Sequence, residues 1–126
     1  MVVLDTSALL YWTVAPDKLT AGAARAIETA PQIVISSISI WEIGLKVKRA
    51  RLELPLSIEA FVARLKETDR VRIEPVTDAI WMRNLDLAWE HQDPADRTIV
   101  ATASLLGCAL ITSDQAMRAF YADAIW

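Results

Sequence analysis

The sequence predicts an α/β fold: one domain, residues 1–126, built as a parallel sheet of four to five strands with helices on both faces. Three observations carry this. Short apolar runs of strand length, such as Val2-Val3-Leu4, Ile33-Val34-Ile35 and Ala109-Leu110-Ile111, are continuous rather than alternating, as in strands covered on both sides. Helical segments with start and stop signals separate them. Strand and helix signals alternate along the whole chain, which implies right-handed crossovers between parallel strands. A chain of 126 residues can bury roughly two-thirds of its unfolded surface, enough for a core without disulfides or metal staples.

The first strand ends in a carboxylate, Asp5, and Thr6 to Trp12 reads as a short helix. Pro16-Asp17 marks a turn. Leu19-Thr20 opens an Ala-rich helix, Ala21 to Ala30, which Pro31 ends. Ile33 to Ser36 is the second strand. Ser37 is placed to cap the next helix, from Ile38 to about Arg49 or Arg51. After Pro55, Ser57-Ile58-Glu59 opens an amphipathic helix to about Thr68. Val71 to Val76 alternates apolar and polar and contains Pro75, as an edge strand does. Thr77 caps a helix to about Leu87.

Asp93 caps the next helix, with Pro94 at its first position, where a missing N–H is harmless, and Gly107 ends it. Asp96 falls in the first turn. Ile99 and Val100 lie three and four residues on, so Asp96 faces inward. Ala109 to Asp114 is the fourth strand, again ending in a carboxylate. Gln115 to Phe120 is helical, and Ala124 to Trp126 reads as a short last strand.

Composition excludes several functions. Net charge is −3, so no global basic field attracts nucleic acid, and binding would rest on local cations or metal ions. Three glycines leave no room for a Gly-rich phosphate loop. One histidine, His91, excludes a His-rich zinc site, and His91 itself reads as a loop residue. The single Cys108 lies in an apolar run, reads as a small buried hydrophobe and fits a reducing cytosol. No apolar run spans a membrane, and no secretory signal is expected.

Four acids remain: Asp5, Glu42, Asp96 and Asp114. Each has a plain structural reading. Asp5 and Asp114 suit helix N-caps, Asp96 suits a helix dipole, and Glu42 can pair with Lys46 one turn on. Together they fall just past strand ends or within about two turns of a helix start, and these places share one edge of a doubly wound sheet. Two carboxylates about 4 Å apart repel by on the order of 4 kcal/mol at an effective dielectric of 20. Protonation relieves that, as do divalent cations that prefer oxygen ligands, Mg²⁺ or Mn²⁺. Such a site suits phosphodiester hydrolysis. Thr6, Ser7, Thr112 and Ser113 supply hydroxyls nearby, whose plain reading is strand-end capping.

Four pieces, Leu4-Asp5-Thr6-Ser7-Ala8-Leu9-Leu10, Ser36-Ser37-Ile38-Ser39-Ile40-Trp41-Glu42-Ile43, His91-Gln92-Asp93-Pro94-Ala95-Asp96-Arg97 and Leu110-Ile111-Thr112-Ser113-Asp114, occur in the order seen in a known family. The chain resembles the PIN-domain ribonucleases, specifically the VapC-type toxins of bacterial toxin–antitoxin systems. The resemblance implies a Mg²⁺- or Mn²⁺-dependent endoribonuclease of the cytoplasm. It implies that Asp5, Glu42, Asp96 and Asp114 form the acidic quartet, with Asp5 and Asp96 the principal metal ligands. It also implies a homodimer, restrained by a small VapB-like antitoxin whose C-terminal segment covers the site. Ala95 stands where many relatives have Phe, and Asp93 is a fifth acid nearby, read as a cap.

Two surfaces follow from this reading. Leu9, Leu10, Tyr11 and Trp12 make a helix apolar on more than one face, expected to receive an apolar antitoxin helix unless all four are core. Lys46, Lys48, Arg49 and Arg51 are the expected RNA-backbone contact, or else a solvated helix end. The competing functions are an RNA-processing PIN nuclease without an antitoxin and a non-catalytic metal- or phosphate-binding module. A receiver-like module would want its acids on strand ends with a strand-end Lys, and Glu42 within a helix argues against it.

Overall fold

The structure, a computed structural model, describes residues 1–126. Five strands, β1 (Val2–Leu4), β2 (Ile33–Ser36), β3 (Val71–Glu74), β4 (Ala109–Ile111) and β5 (Ala124–Ile125), form one sheet in the order β3-β2-β1-β4-β5. Every pairing is parallel, with Val3 opposite Val34 on one side and Leu110 on the other. The expected five-strand parallel sheet is therefore present. Val71–Glu74 is indeed an edge, ended by Pro75, and its Arg72–Glu74 ion pair at 3.1 Å puts charge on that edge.

Seven helices flank the sheet: α1 (Thr6–Val14), α2 (Ala21–Thr29), α3 (Ser37–Lys48), α4 (Ile58–Glu67), α5 (Asp78–Asp86), α6 (Pro94–Leu106) and α7 (Gln115–Phe120). Pro16–Lys18, expected as a turn, is one 3₁₀ turn. The layering follows from strand periodicity, since successive side chains point to opposite faces. Val2, Leu4, Ile33, Ile35 and Ile111 join one cluster with Leu9 of α1, Ile27 of α2, Ile43 of α3 and Phe61 of α4. Val3, Val34 and Leu110 face the other way, against Ile99, Val100 and Ala103 of α6 and Met117 of α7. Both faces of the central strands are thus dry, which explains their unbroken apolar runs.

Three expectations are corrected. Ser36, not Ser37, caps α3: Ser36 is extended and accepts from the amide of Ile38 at 3.3 Å. Ser37 is already helical, and its hydroxyl accepts from the amide of Val76 at 3.1 Å instead. β4 stops at Ile111, because Thr112 to Asp114 turn to start α7. Cys108 is half-buried rather than fully enclosed, since it precedes β4 at the rim of the second cluster, and burial pushes its thiol up. Gly107 ends α6 with φ +64°, the left-handed geometry that glycine adopts without strain.

Candidate active site

The strand order reverses between β1 and β4: from β1 the chain builds outward through β2 and β3, then returns to place β4 on the other side of β1. The C-terminal side of such a switch point is where open α/β sheets bind ligands. Asp5 follows β1 and Asp114 lies three residues after β4, so both acids stand at the crevice.

Asp5 is 4% exposed. Its Oδ1 accepts from the amide of Ala8 at 2.7 Å, which caps α1, and its Oδ2 accepts from the Thr112 hydroxyl. Burial pushes the Asp5 carboxyl up from 3.8 to about 6. The Thr112 and Ala8 hydrogen bonds pull it back, and the charges of Asp96 and Asp114 push it further up. Thr112 is itself fully buried, and its Oγ1 also accepts from the amide of Asp114 at 3.0 Å. Asp114 caps α7, its Oδ1 accepting from the amide of Met117 at 2.9 Å.

Asp96 rides in the first turn of α6. Asp93 caps that helix, as expected, accepting from the amide of Asp96 at 2.9 Å. Burial raises the Asp96 carboxyl; a hydrogen bond with His91 opposes this, while the charges of Asp93 and Asp114 add to it. His91 Nε2 lies 2.8 Å from Asp96 Oδ2. His91 is therefore more than the plain loop residue expected. Its ring stacks on Trp89 with centroids 4.5 Å apart, and Trp89 stacks on Phe120 at 4.7 Å.

Arg97 shapes the loop that carries His91. Its guanidinium donates to the carbonyls of Asn84 (2.6 Å), Trp89 and His91 (3.1 Å), while its Nε donates to Asn84 Oδ1 at 3.2 Å. Carbonyls of the last turn of α5 and of the loop after it are thus gathered by a residue adjacent to Asp96. Neither His91 nor Arg97 carries a periodicity signal that singles it out. Their contacts exist only once the 87–93 loop has folded onto α6.

Glu42 is reached from the α6 side. It makes no hydrogen bond or ion pair with Asp5, Asp96 or Asp114, and the surface pair with Lys46 that would be its plain structural reading does not form. Glu42 instead lines a cleft of about 270 Å³ between α3 and the start of α6, with Asp93 and Ala95 on the far wall. Lys46, Arg49 and Arg51 line the same cleft, so three of the four expected basic residues flank the acids; Lys48 points elsewhere on the exposed end of α3. Of the remaining hydroxyls, Thr6 is buried and donates to Ser39 Oγ at 3.0 Å, tying α1 to α3, while Ser7 is exposed.

The acids line one edge without closing into a preassembled cluster of three. Their donor chemistry fits a hard divalent cation. It is carboxylate and hydroxyl oxygen, and a nearby positive charge would offset the desolvation that raises Asp5.

The sequence pattern of the PIN domain matches residues 2–122. The chain belongs to the PIN-domain family. This PIN domain is 30% identical over 118 residues to Ribonuclease VapC22 of Mycobacterium tuberculosis (strain ATCC 25618 / H37Rv), a match spanning 93% of this chain and 89% of that protein. Two solved structures share its fold. A toxin-antitoxin complex from Klebsiella pneumoniae superposes with a TM-score of 0.68 at 22% identity, covering 100% of this chain and 97% of that one. VapC20 of Mycobacterium tuberculosis, described as a sarcin-ricin loop cleaving toxin, superposes with a TM-score of 0.65 at 20% identity, with 94% of both chains covered. The PIN domain is thus VapC-like in sequence and in fold. No helix in it is long and apolar enough to cross a membrane.

Proposed function

We propose that this PIN domain is the toxin of a toxin–antitoxin pair: a cytoplasmic, divalent-metal-dependent endoribonuclease that hydrolyses RNA phosphodiester bonds. The observation that carries the reading is the placement of Asp5 and Asp114 just after β1 and β4 at the strand-order reversal, bridged by Thr112, in a chain 30% identical to a VapC ribonuclease. Asp5 and Asp96 serve as the principal ligands of Mg²⁺ or Mn²⁺, with Asp114 and Glu42 completing the acidic set. The metal, when bound, supplies a water of lowered pKa and positive charge against the phosphorane. The chain's own residues hold the acids in place. Thr112 fixes Asp5, His91 fixes Asp96, and the first turns of α1, α6 and α7 set their backbone.

Partner surfaces agree with this reading. Leu10, Tyr11, Val14 and Leu54 line a groove beside α1, which suits an apolar helix of a VapB-like antitoxin. Leu9 is fully buried, so it belongs to the core and not to that groove. Met82 (62% exposed) and Leu85 (75%) on α5 line a shallow surface with Ala79 of the same helix and Leu105 of α6, and Trp81 of α5 is also exposed, which supports a homodimer face. The test is RNA cleavage with Mn²⁺ or Mg²⁺, comparing wild type with Asp5→Asn and Asp96→Asn. Both substitutions should abolish cleavage. Cleavage without metal, or activity surviving both changes, overturns the mechanism.

A further inference from the structure

The two most exposed tryptophans sit in opposite surroundings. Trp81 lies on α5 among other exposed apolar residues, Met82 and Leu85. Trp41, on α3, is 58% exposed, belongs to neither core cluster and stacks on no other ring. It is the residue before Glu42, and it lines the same cleft as Glu42, Lys46, Arg49 and Arg51. More than half of this indole is open to water. What surrounds it is polyanion chemistry: three cations along one wall, and Ala95 and Asp93, the neighbours of Asp96, on the other.

We propose that Trp41 is a nucleobase-stacking platform for single-stranded RNA at the entrance to the candidate active site. The inference rests on the nuclease reading above and names the form of the substrate. A cation-lined groove that tracks phosphates, with an aromatic face on which a base lies, is how single strands are held without sequence readout. Stacking on an indole needs a base whose face is free, and in a duplex both faces are occupied by neighbouring bases. Lys46, Arg49 and Arg51 neutralise the backbone, Trp41 receives a base, and the strand continues along the cleft toward the start of α6, where Asp96 lies. The net charge of −3 then poses no obstacle, because the cations are gathered where the strand runs.

The experiment measures binding and turnover separately. Binding of a short fluorescently labelled single-stranded RNA is read by anisotropy, with Ca²⁺ as the only divalent ion. The same RNA is cut in Mn²⁺ to obtain kcat and KM. Trp41→Ala should weaken binding about 5- to 150-fold, the range of one lost stacking contact. It should raise KM by a similar factor with kcat little changed, and leave the urea unfolding midpoint in place. Trp41→Phe should recover most of the affinity. A fully paired RNA of the same sequence should bind wild type and Trp41→Ala alike. Equal single-strand affinity of Trp41→Ala and wild type overturns the proposal. So does an unchanged RNA affinity accompanied by loss of an antitoxin's binding, which makes the indole a protein contact. Trp41-dependent binding in a protein that never cuts RNA in Mn²⁺ supports the platform and overturns the nuclease reading alone.

Discussion

Replacing Asp5 by Asn should make the metal-free protein more stable at neutral pH while it destroys activity. The Asp5 carboxyl is carried from 3.8 to about 6, chiefly by burial. A folded-state value above the unfolded one means that stability is fully present below pH 3.8 and is lost as pH rises through about 6. The loss is about 3 kcal/mol, because the folded state must hold a desolvated charge that the unfolded chain holds in water. Asn keeps the shape and both contacts: its oxygen accepts from the amide of Ala8, and its amide group donates to Thr112 Oγ1 in place of the hydrogen bond that Thr112 now makes. Urea unfolding in EDTA is the assay, followed by tryptophan fluorescence across a pH series. Asp5→Asn and wild type should unfold together near pH 4. Near pH 7.5 the variant's midpoint should be higher by about 1–3 M urea, taking a slope of about 1–3 kcal/mol per M. A midpoint equal to or below wild type at that pH, or a gain independent of pH, refutes the reasoning.

Three more outcomes are expected. His91→Ala removes the hydrogen bond to Asp96 Oδ2 and should weaken Mn²⁺ binding about 10- to 100-fold by calorimetry, with His91→Gln, which keeps a donor, much closer to wild type. Charge reversal at Lys46, Arg49 and Arg51 should weaken cleavage and flatten its salt dependence, read as the slope of log KM against log salt; unchanged cleavage makes the run a solvated helix end. Leu10→Glu places a charge in the groove beside α1 and should abolish antitoxin binding in a titration, with circular dichroism still that of a folded protein; undiminished affinity removes the groove from the interface.

Much of this molecule is legible in its sequence because its site sits on punctuation. Asp5, Asp93 and Asp114 each follow a strand or loop and open a helix, and a strand end plus a capping acid is a strong local signal. The same signal misplaced the start of α3 by one residue. Ser36 and Ser37 are both able to cap, and the choice is made by a distant partner, the amide of Val76. The Glu42–Lys46 spacing favoured a pair on the helix surface, but both side chains line the cleft to α6 without pairing, and helical spacing is blind to what packs opposite. His91 was read as an ordinary loop residue because its partner is set by Arg97, which clasps four backbone and side-chain oxygens of Asn84, Trp89 and His91. Of the four apolar residues of α1, Leu9 is fully buried, while Leu10 and Trp12 pack on the same core only at its margin and Leu10 and Tyr11 line the groove.

Three helices begin at this crevice, and in two of them the capping acid is also a candidate ligand. In Asp5 and Asp114, Oδ1 is committed to an amide of the following helix, so one half of each carboxylate belongs to the architecture, while the second oxygen, held in Asp5 by Thr112, faces the chemistry. An alanine scan therefore cannot separate the two roles, since Ala removes a helix cap and a donor oxygen in one stroke. Asparagine separates them, and so does time. A lineage released from the need to cut RNA can exchange these acids for amides without loosening a single helix, and would keep the PIN architecture long after its enzymology was gone.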